Sequence, residues 1–405
     1  WGCVPTKMMI RAANLVAETR RVDGMAGHAE VTPDWEPVAA RIRDEATDNW
    51  NDQVAVDRFE GKGGRFVRGR GRLTGVGTVE VDGATYEARR GVVLATGTAP
   101  VIPPIDGLAG TPYWTNRDAV EAKTLPASML VLGGGAVGLE LAQAYARFGV
   151  AVTVVEAMDR LLPMEEPEAS TLVQDALEAD GISVRTGVGA SSVAYDGEQF
   201  TVTAGADLRA ERLLVSVGRR SDLTALGVDR VGLDRTAGAV TVDEWMRAGE
   251  KLWAVGDVTG HGAFTHMAMY QAGVAVRDIL GRGGPAADYR AVPRVTFTDP
   301  EVGSVGLTEA AAREEGLAVA VGMAQVPSSA RGWIHKAGNA GLIKLVADDD
   351  RGVLVGATSA GPVGGEVLSA LAVAVHGAVP VETLRHMIYA YPTFHRGIED
   401  ALRQL

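Results

Sequence analysis

Gly133, Gly135 and Gly138 follow the apolar run Leu130 to Leu132, and Glu156 closes the next apolar run. Residues of these types at this spacing suit a dinucleotide, with the acid about 20 residues beyond the glycines. Gly133 would make the turn, Gly135 would let the backbone approach a pyrophosphate, and Gly138 would let helix and strand pack closely. The helix N-terminus that follows would hold the phosphates. Glu156 would accept hydrogen bonds from the adenosine ribose hydroxyls and repel a 2′-phosphate, favouring NAD over NADP. The other residue that invites chemistry is Cys3, the only cysteine in 405 residues, set in Gly2-Cys3-Val4-Pro5-Thr6-Lys7 ahead of an apolar helical run. A lone cysteine is by default a small buried hydrophobe, and the Pro-Thr-Lys that follows it sets this one apart.

These residues need a strand, a glycine turn, a helix and a second strand, and the segment 128–156 reads in that order. Two further islands have the same strand-then-turn layout. One is "RRGVVLATGTAPVIPPIDG", which breaks at Thr96-Gly97, and the other is "KLWAVGDVTGHGAFTHMAMYQAG", which breaks at Gly256-Asp257. Each alone could be an ordinary strand-end turn, because Gly and Asp are common turn formers. Alternating βαβ patterns with short Gly and Pro joints predict an α/β chain of two or three domains.

Composition narrows the function. With 39 basic against 51 acidic residues the net charge is -12, which argues against a phosphate-tracking surface and hence against nucleic acid. The 51 glycines follow no repeat period and suit tight turns and close backbone approaches. "VLSALAVAVHGAV" is too short for a membrane span, is interrupted by His376, and reads as a buried helix. A single cysteine gives no internal disulfide framework, so a cytoplasmic protein is expected. His261 and His266 lack a third ligand nearby, so no metal site is expected. The acidic runs "MEEPE" (164–168) and "ADDD" (347–350) read as solvated turns.

Taken together, "GCVPTK", "LATGTAP", "GGGAVGLE", "SVGRRSD", "AVGDVTG", "PRVTFTDPEVGSVGLTE" and "AYPTFHRGIED" occur in the order of the class I pyridine nucleotide-disulfide oxidoreductases. The chain resembles this flavoprotein family, which includes lipoamide dehydrogenase and mercuric reductase, over essentially its whole length. The resemblance implies two Rossmann-like three-layer nucleotide-binding domains and a C-terminal α+β dimerisation domain. Residues 1–125 would begin the FAD-binding domain, 126–248 form the NAD(P)-binding domain, 249–290 return to the FAD domain, and 291–405 dimerise. The partners implied are a second copy of the chain and a small-molecule electron acceptor.

Carried over residue by residue, the resemblance makes Cys3 the flavin-proximal cysteine of a redox pair, Lys7 the lysine near flavin N5, and Glu140 its partner. It puts Gly75 at the adenine, Thr96, Gly97 and Thr98 at the flavin turn, and Asp257 on the ribityl hydroxyls. Ala263, Phe264, Thr265 and His266 would begin the helix beside the isoalloxazine. Around NAD it puts Gly133, Gly134, Gly135, Ala136, Val137, Gly138, Leu139 and Glu140, then Glu156, Val188 and Gly218. Hydride would pass from nicotinamide to flavin and on to a disulfide containing Cys3. A helix starting near Pro5 would favour the resulting thiolate through its dipole and free N–H groups. The family spaces its two cysteines with four residues between them, so the partner of Cys3 is expected three positions before Trp1. The family's first strand and its FAD fingerprint are expected upstream as well.

At the other end the sequence departs from the dithiol-reducing members. Their His just before the Pro-Thr and their Glu shortly after it are replaced here by Tyr391 and Arg396. A phenol is a poor proton acceptor at neutral pH, with His395 as the alternative base. The expected activity is therefore an NAD(P)H oxidoreductase delivering electrons to a quinone, metal ion or oxidised small molecule. A dihydrolipoamide dehydrogenase-like reductase and a non-catalytic nucleotide binder are the competing readings.

Overall fold

The computed structural model describes residues 1–405 and divides into two compact units. The first holds Trp1–Ala46, Ile102–Val217 and Tyr289–Leu405, and the second holds Thr47–Val101 and Gly218–Asp288.

The first unit contains a parallel sheet in the spatial order Arg212–Val215, Ser128–Leu132, Ala151–Val155, Ser183–Arg185. Met129 to Leu132 are all buried, as a central parallel strand covered on both faces requires. Alternate residues take opposite faces. Leu130 and Leu132 join Phe200 and Val202 of the antiparallel meander Ser192–Tyr195, Phe200–Thr203, Asp207–Ala210. Val131 instead faces Gly138 on the helix Ala136–Arg147.

The helix Val4–Arg20 runs parallel to Ala136–Arg147. Lys7 bonds to Glu140 and Asn14 to Arg147, both with a sequence offset of 133, so the two helices advance together in seven-residue steps.

The C-terminal part of this unit is a five-stranded antiparallel sheet, ordered Pro293–Thr296, Glu301–Gly306, Val353–Gly361, Leu342–Asp348, Val319–Gln325. The helix Gly364–His376 buries Leu368, Leu371 and Val375 against it. Its opposite face is open, with Val373 68% exposed, so the segment expected to be a buried helix is buried on one side only.

The acidic run 164–168 is the larger correction. Glu165 and Glu166 are buried rather than solvated. Glu165 accepts from Arg294 and from the Ser304 hydroxyl, and Glu166 from Lys344 and the Glu309 backbone N–H. The physical cause is the C-terminal sheet, which brings Lys344 and Ser304 against the turn. In the run 347–350 Asp348 is likewise buried, while Asp349 and Asp350 are exposed.

The second unit pairs Val92–Leu94 with Leu252–Ala254 in parallel and adds Arg247–Gly249 at the edge. A separate antiparallel meander, Gly71–Gly75, Thr78–Val81 and Ala84–Glu87, shares a core with it through Leu73, Leu94, Leu252 and Val258. The helix Thr265–Ile279 follows.

Candidate functional site

In the first unit the strand Ser128–Leu132 ends at Gly133, whose φ of +105° is a conformation that side chains other than glycine rarely take. Gly138 packs so closely that a Cβ there would strike the Gly133 carbonyl and the Ser216 hydroxyl. Gly135 differs from both. It caps the helix Ala136–Arg147 with extended backbone, and a Cβ there would meet nothing within 4 Å. The turn is thus tight on its inner side and open on its outer side, where the N–H groups at the start of the helix can receive a phosphate. Ala136, Val137 and Leu139 form the first turns of that helix, with Val137 exposed and Leu139 buried.

Glu156 follows the neighbouring strand and is buried. Its two carboxylate oxygens accept from the Gly134 N–H at 2.5 Å and the Met158 N–H at 2.7 Å. The acid therefore braces the glycine turn while its remaining lone pairs stay available to hydroxyl donors. Val188 donates its N–H to the Glu156 carbonyl, which keeps it beside the acid.

Cys3 is exposed and immediately precedes the helix Val4–Arg20, with Pro5 in the first turn. Its carbonyl accepts from the Thr6 hydroxyl and the Lys7 N–H, which ties the residue to the helix start. Lys7 Nζ lies 2.6 Å from Glu140 Oε2 and 4.6 Å from the centroid of the Phe297 ring. The other Glu140 oxygen accepts the Phe297 N–H at 2.9 Å. Glu140 is two residues past Gly138, so a single helix carries both the glycine turn and the partner of Lys7.

In the second unit, Thr98 donates its hydroxyl to Asp257 at 3.1 Å and accepts from Arg219 Nε at 2.9 Å. Thr96 is exposed beside Gly97, which takes φ +67°. The Gly218 carbonyl accepts the Val101 N–H, so the turn at 96–98 and the segment from 218 are held together. Ala263 to His266 lead into the 15-residue helix Thr265–Ile279, with the Phe264 and His266 rings stacked at 5.1 Å. Gly75 ends its strand with open space around it. The Asp257 carboxylate and the Thr98 hydroxyl beside the positive-φ Gly97 fit a flavin nucleotide's hydroxyl groups.

Tyr391 is 69% exposed, with the Arg396 guanidinium 5.5 Å from its ring centroid. Arg396 also pairs with Glu399 and Asp400, and His395 contacts the Thr393 hydroxyl. A cavity of about 350 Å³ lies in the C-terminal sheet region, lined by Tyr289, Arg294, Leu307, Arg351 and Val355 among others. None of the expected site residues lines it.

Sequence reasoning passed over Gln143, Arg147 and Asp299, which bond to one another further along the same helix pair. The available signal was the spacing of Glu140, Gln143 and Arg147, which puts three polar residues on one face of a helix that is otherwise largely apolar.

Fold and glycine turn together define a nucleotide-binding α/β protein with a C-terminal antiparallel sheet. Residues 1–272 match the family model of pyridine nucleotide-disulphide oxidoreductases, and residues 292–402 match the dimerisation domain of the same family. A mercuric reductase from Shigella flexneri is 33% identical over 422 residues, covering 99% of this chain and 73% of the relative. A dihydrolipoyl dehydrogenase from Haloferax volcanii is 32% identical over 426 residues, covering 99% and 87%. The crystal structure of LpdA from Mycobacterium tuberculosis has a TM-score of 0.86 at 28% identity, covering 99% of this chain and 89% of that one. The chain belongs to the pyridine nucleotide-disulphide oxidoreductases, a family of flavin-dependent enzymes whose lipoamide dehydrogenase and mercuric reductase type use FAD and NAD(P)H. Its dimerisation domain supports a homodimer. No helix is long and apolar enough to cross a membrane.

Proposed function

We propose that the chain is an NADH-dependent flavoprotein reductase that delivers two electrons to an acceptor other than a simple dithiol. The observation that carries this reading is the helix Ala136–Arg147, which follows the open glycine turn and holds Lys7 of the Cys3 helix through Glu140. In this reading Gly133 to Leu139 and Glu156 bind the nicotinamide nucleotide, and Thr96 to Thr98, Asp257 and Ala263 to His266 bind FAD. When bound, these groups would supply the hydride and electron-transfer chemistry. Cys3 is one half of a redox disulfide, and Lys7, oriented by Glu140, brings positive charge to the start of the Cys3 helix. Residues 1–125 and 249–290 form the FAD-binding part, 126–248 the nicotinamide part and 291–405 the interface, and the protein works in the cytosol.

The acceptor reading rests on Tyr391, exposed beside Arg396 where a dithiol reductase needs a base. Steady-state turnover with NADH against menadione, mercuric ion, lipoamide and glutathione disulfide tests it. Rapid lipoamide turnover would overturn the acceptor assignment and support a dihydrolipoyl dehydrogenase-like enzyme, a reading favoured by the similarity to the Haloferax volcanii protein.

A further inference from the structure

We propose that Asp299 is a positioning residue for the Cys3–Lys7 end of the first helix. The inference rests on the reading of Cys3 and Lys7 as the redox end of that helix. Asp299 belongs to a short segment after the strand Pro293–Thr296, and that segment touches the helix pair at both ends. At one end, Phe297 donates its N–H to Glu140 and lays its ring under Lys7. At the other, the Asp299 carboxylate accepts from Arg21 Nη2 at 2.6 Å and from Arg147 Nη2 at 2.7 Å. The Asp299 backbone is held too, donating its N–H to Gln143 Oε1 at 2.7 Å and accepting from Gln143 Nε2 at 2.9 Å.

Lys7, Asn14 and Arg21 therefore form a polar seam at seven-residue spacing along the first helix, matched by Glu140, Gln143 and Arg147 on the second. Asp299 binds one cation at each helix, Arg147 on the second and Arg21, which caps the end of the first. Arg147 is 2% exposed and already gives its Nε to Asp180 and its Nη1 to Asn14. Without the Asp299 charge, the buried Arg147 guanidinium loses one of its two carboxylate partners, a cost large enough to make the segment move instead. Phe297 is two residues away on the same segment, so that movement reaches the Lys7–Glu140 pair.

The test is the rate of iodoacetamide alkylation of Cys3 in the reduced, desalted chain, followed by intact mass, with the thermal midpoint measured in parallel. Asp299→Asn is expected to change the rate roughly 3- to 10-fold, in line with coupling among residues of one buried network. Asp299→Glu keeps the charge and should stay near the parent rate. Leu371→Ala opens a cavity in the C-terminal core and should lower the midpoint without changing the rate. If Asp299→Asn is poorly folded, Arg21→Met, which removes one partner of Asp299 from a partly exposed position, should shift the rate in the same direction.

Glu140→Gln separates the two failures. If Glu140→Gln changes the rate and Asp299→Asn does not, the positioning role is wrong and the site reading survives. If Glu140→Gln changes nothing, both fall. A rate change in Leu371→Ala equal to that in Asp299→Asn would mean that general loosening, rather than positioning, sets thiol reactivity, and would overturn the proposal.

Discussion

Lys7 Nζ lies 2.6 Å from Glu140 Oε2, and the two residues belong to helices that run parallel. Glu140 is 6% exposed and Lys7 31%, so the pair is buried mainly on the acid's side. Removing the cation leaves a buried carboxylate supported only by the Phe297 N–H, which is worse than removing both charges. Lys7→Met is therefore expected to cost about 1–3 kcal/mol, a figure below the usual buried-pair range because Lys7 is partly solvated. The double variant Lys7→Met with Glu140→Leu should be less destabilised than the sum of its parts. Urea unfolding of the four proteins checks this, and strict additivity would mean that the contact contributes nothing.

The glycine turn was legible in the sequence because all its parts are local. Strand, turn, helix and second strand lie within 128–156, and each positive-φ or close-packed position needs a glycine where one stands. Glu165 and Glu166 were misread for the opposite reason. Three acids around a proline look solvated, and their partners Ser304 and Lys344 lie 139 and 178 residues away. Asp299 was invisible in the same way, its bond to Arg147 spanning 152 residues. Nothing local in "FTDPE" marks one carboxylate as the meeting point of two helices.

Glu156 has two tasks, and one substitution should reveal both. It braces Gly134 and Met158 through their N–H groups, and it stands where a ribose would bind. Glu156→Ala is expected to lower stability by about 1–3 kcal/mol because a buried donor at Gly134 and a half-buried one at Met158 lose their acceptor. It should also reduce the preference for NADH over NADPH by roughly tenfold or more, since a carboxylate no longer repels the 2′-phosphate. The ratio of kcat/KM for the two nucleotides, with a denaturation curve, tests both effects. An unchanged ratio would remove Glu156 from nucleotide selection.

Lys344, 4% exposed on its side chain, binds Glu166, Glu168 and Glu309 together. Burial alone would lower its ammonium, but the three carboxylates outweigh burial and raise it above the usual lysine range. Hydrogen bonds from Lys344 and Arg313 hold the Glu309 carboxyl below the usual carboxylate range. A depressed carboxyl adds stability that is present above its unfolded value, about 4.3, and is lost as pH falls through the folded value. Lys344→Met should cost about 3 kcal/mol at pH 7, mostly from leaving Glu166 buried without its cation. Part of that penalty should disappear as the pH is taken down below about 4. Chemical denaturation of both proteins at pH 7 and pH 3 measures the difference, and a gap that widens in acid would contradict the assignment.

Gly135 and Gly138 allow binding to be separated from folding. A methyl at Gly138 would collide with the Gly133 carbonyl and the Ser216 hydroxyl, so Gly138→Ala must push the helix away from the strand. Overpacking of this kind costs about 1–3 kcal/mol and distorts the turn as well. A methyl at Gly135 would meet no protein atom within 4 Å, and its extended backbone suits any residue. Gly135→Ala should therefore unfold at the parent midpoint, or slightly above it because alanine restricts the unfolded chain. The same methyl would occupy the space through which a pyrophosphate approaches the helix N-terminus. Nucleotide affinity, measured by titration of the folded variants, should fall in both proteins, while thermal stability falls in Gly138→Ala alone. Full affinity in Gly135→Ala would mean that the open side of this turn is not where the nucleotide sits.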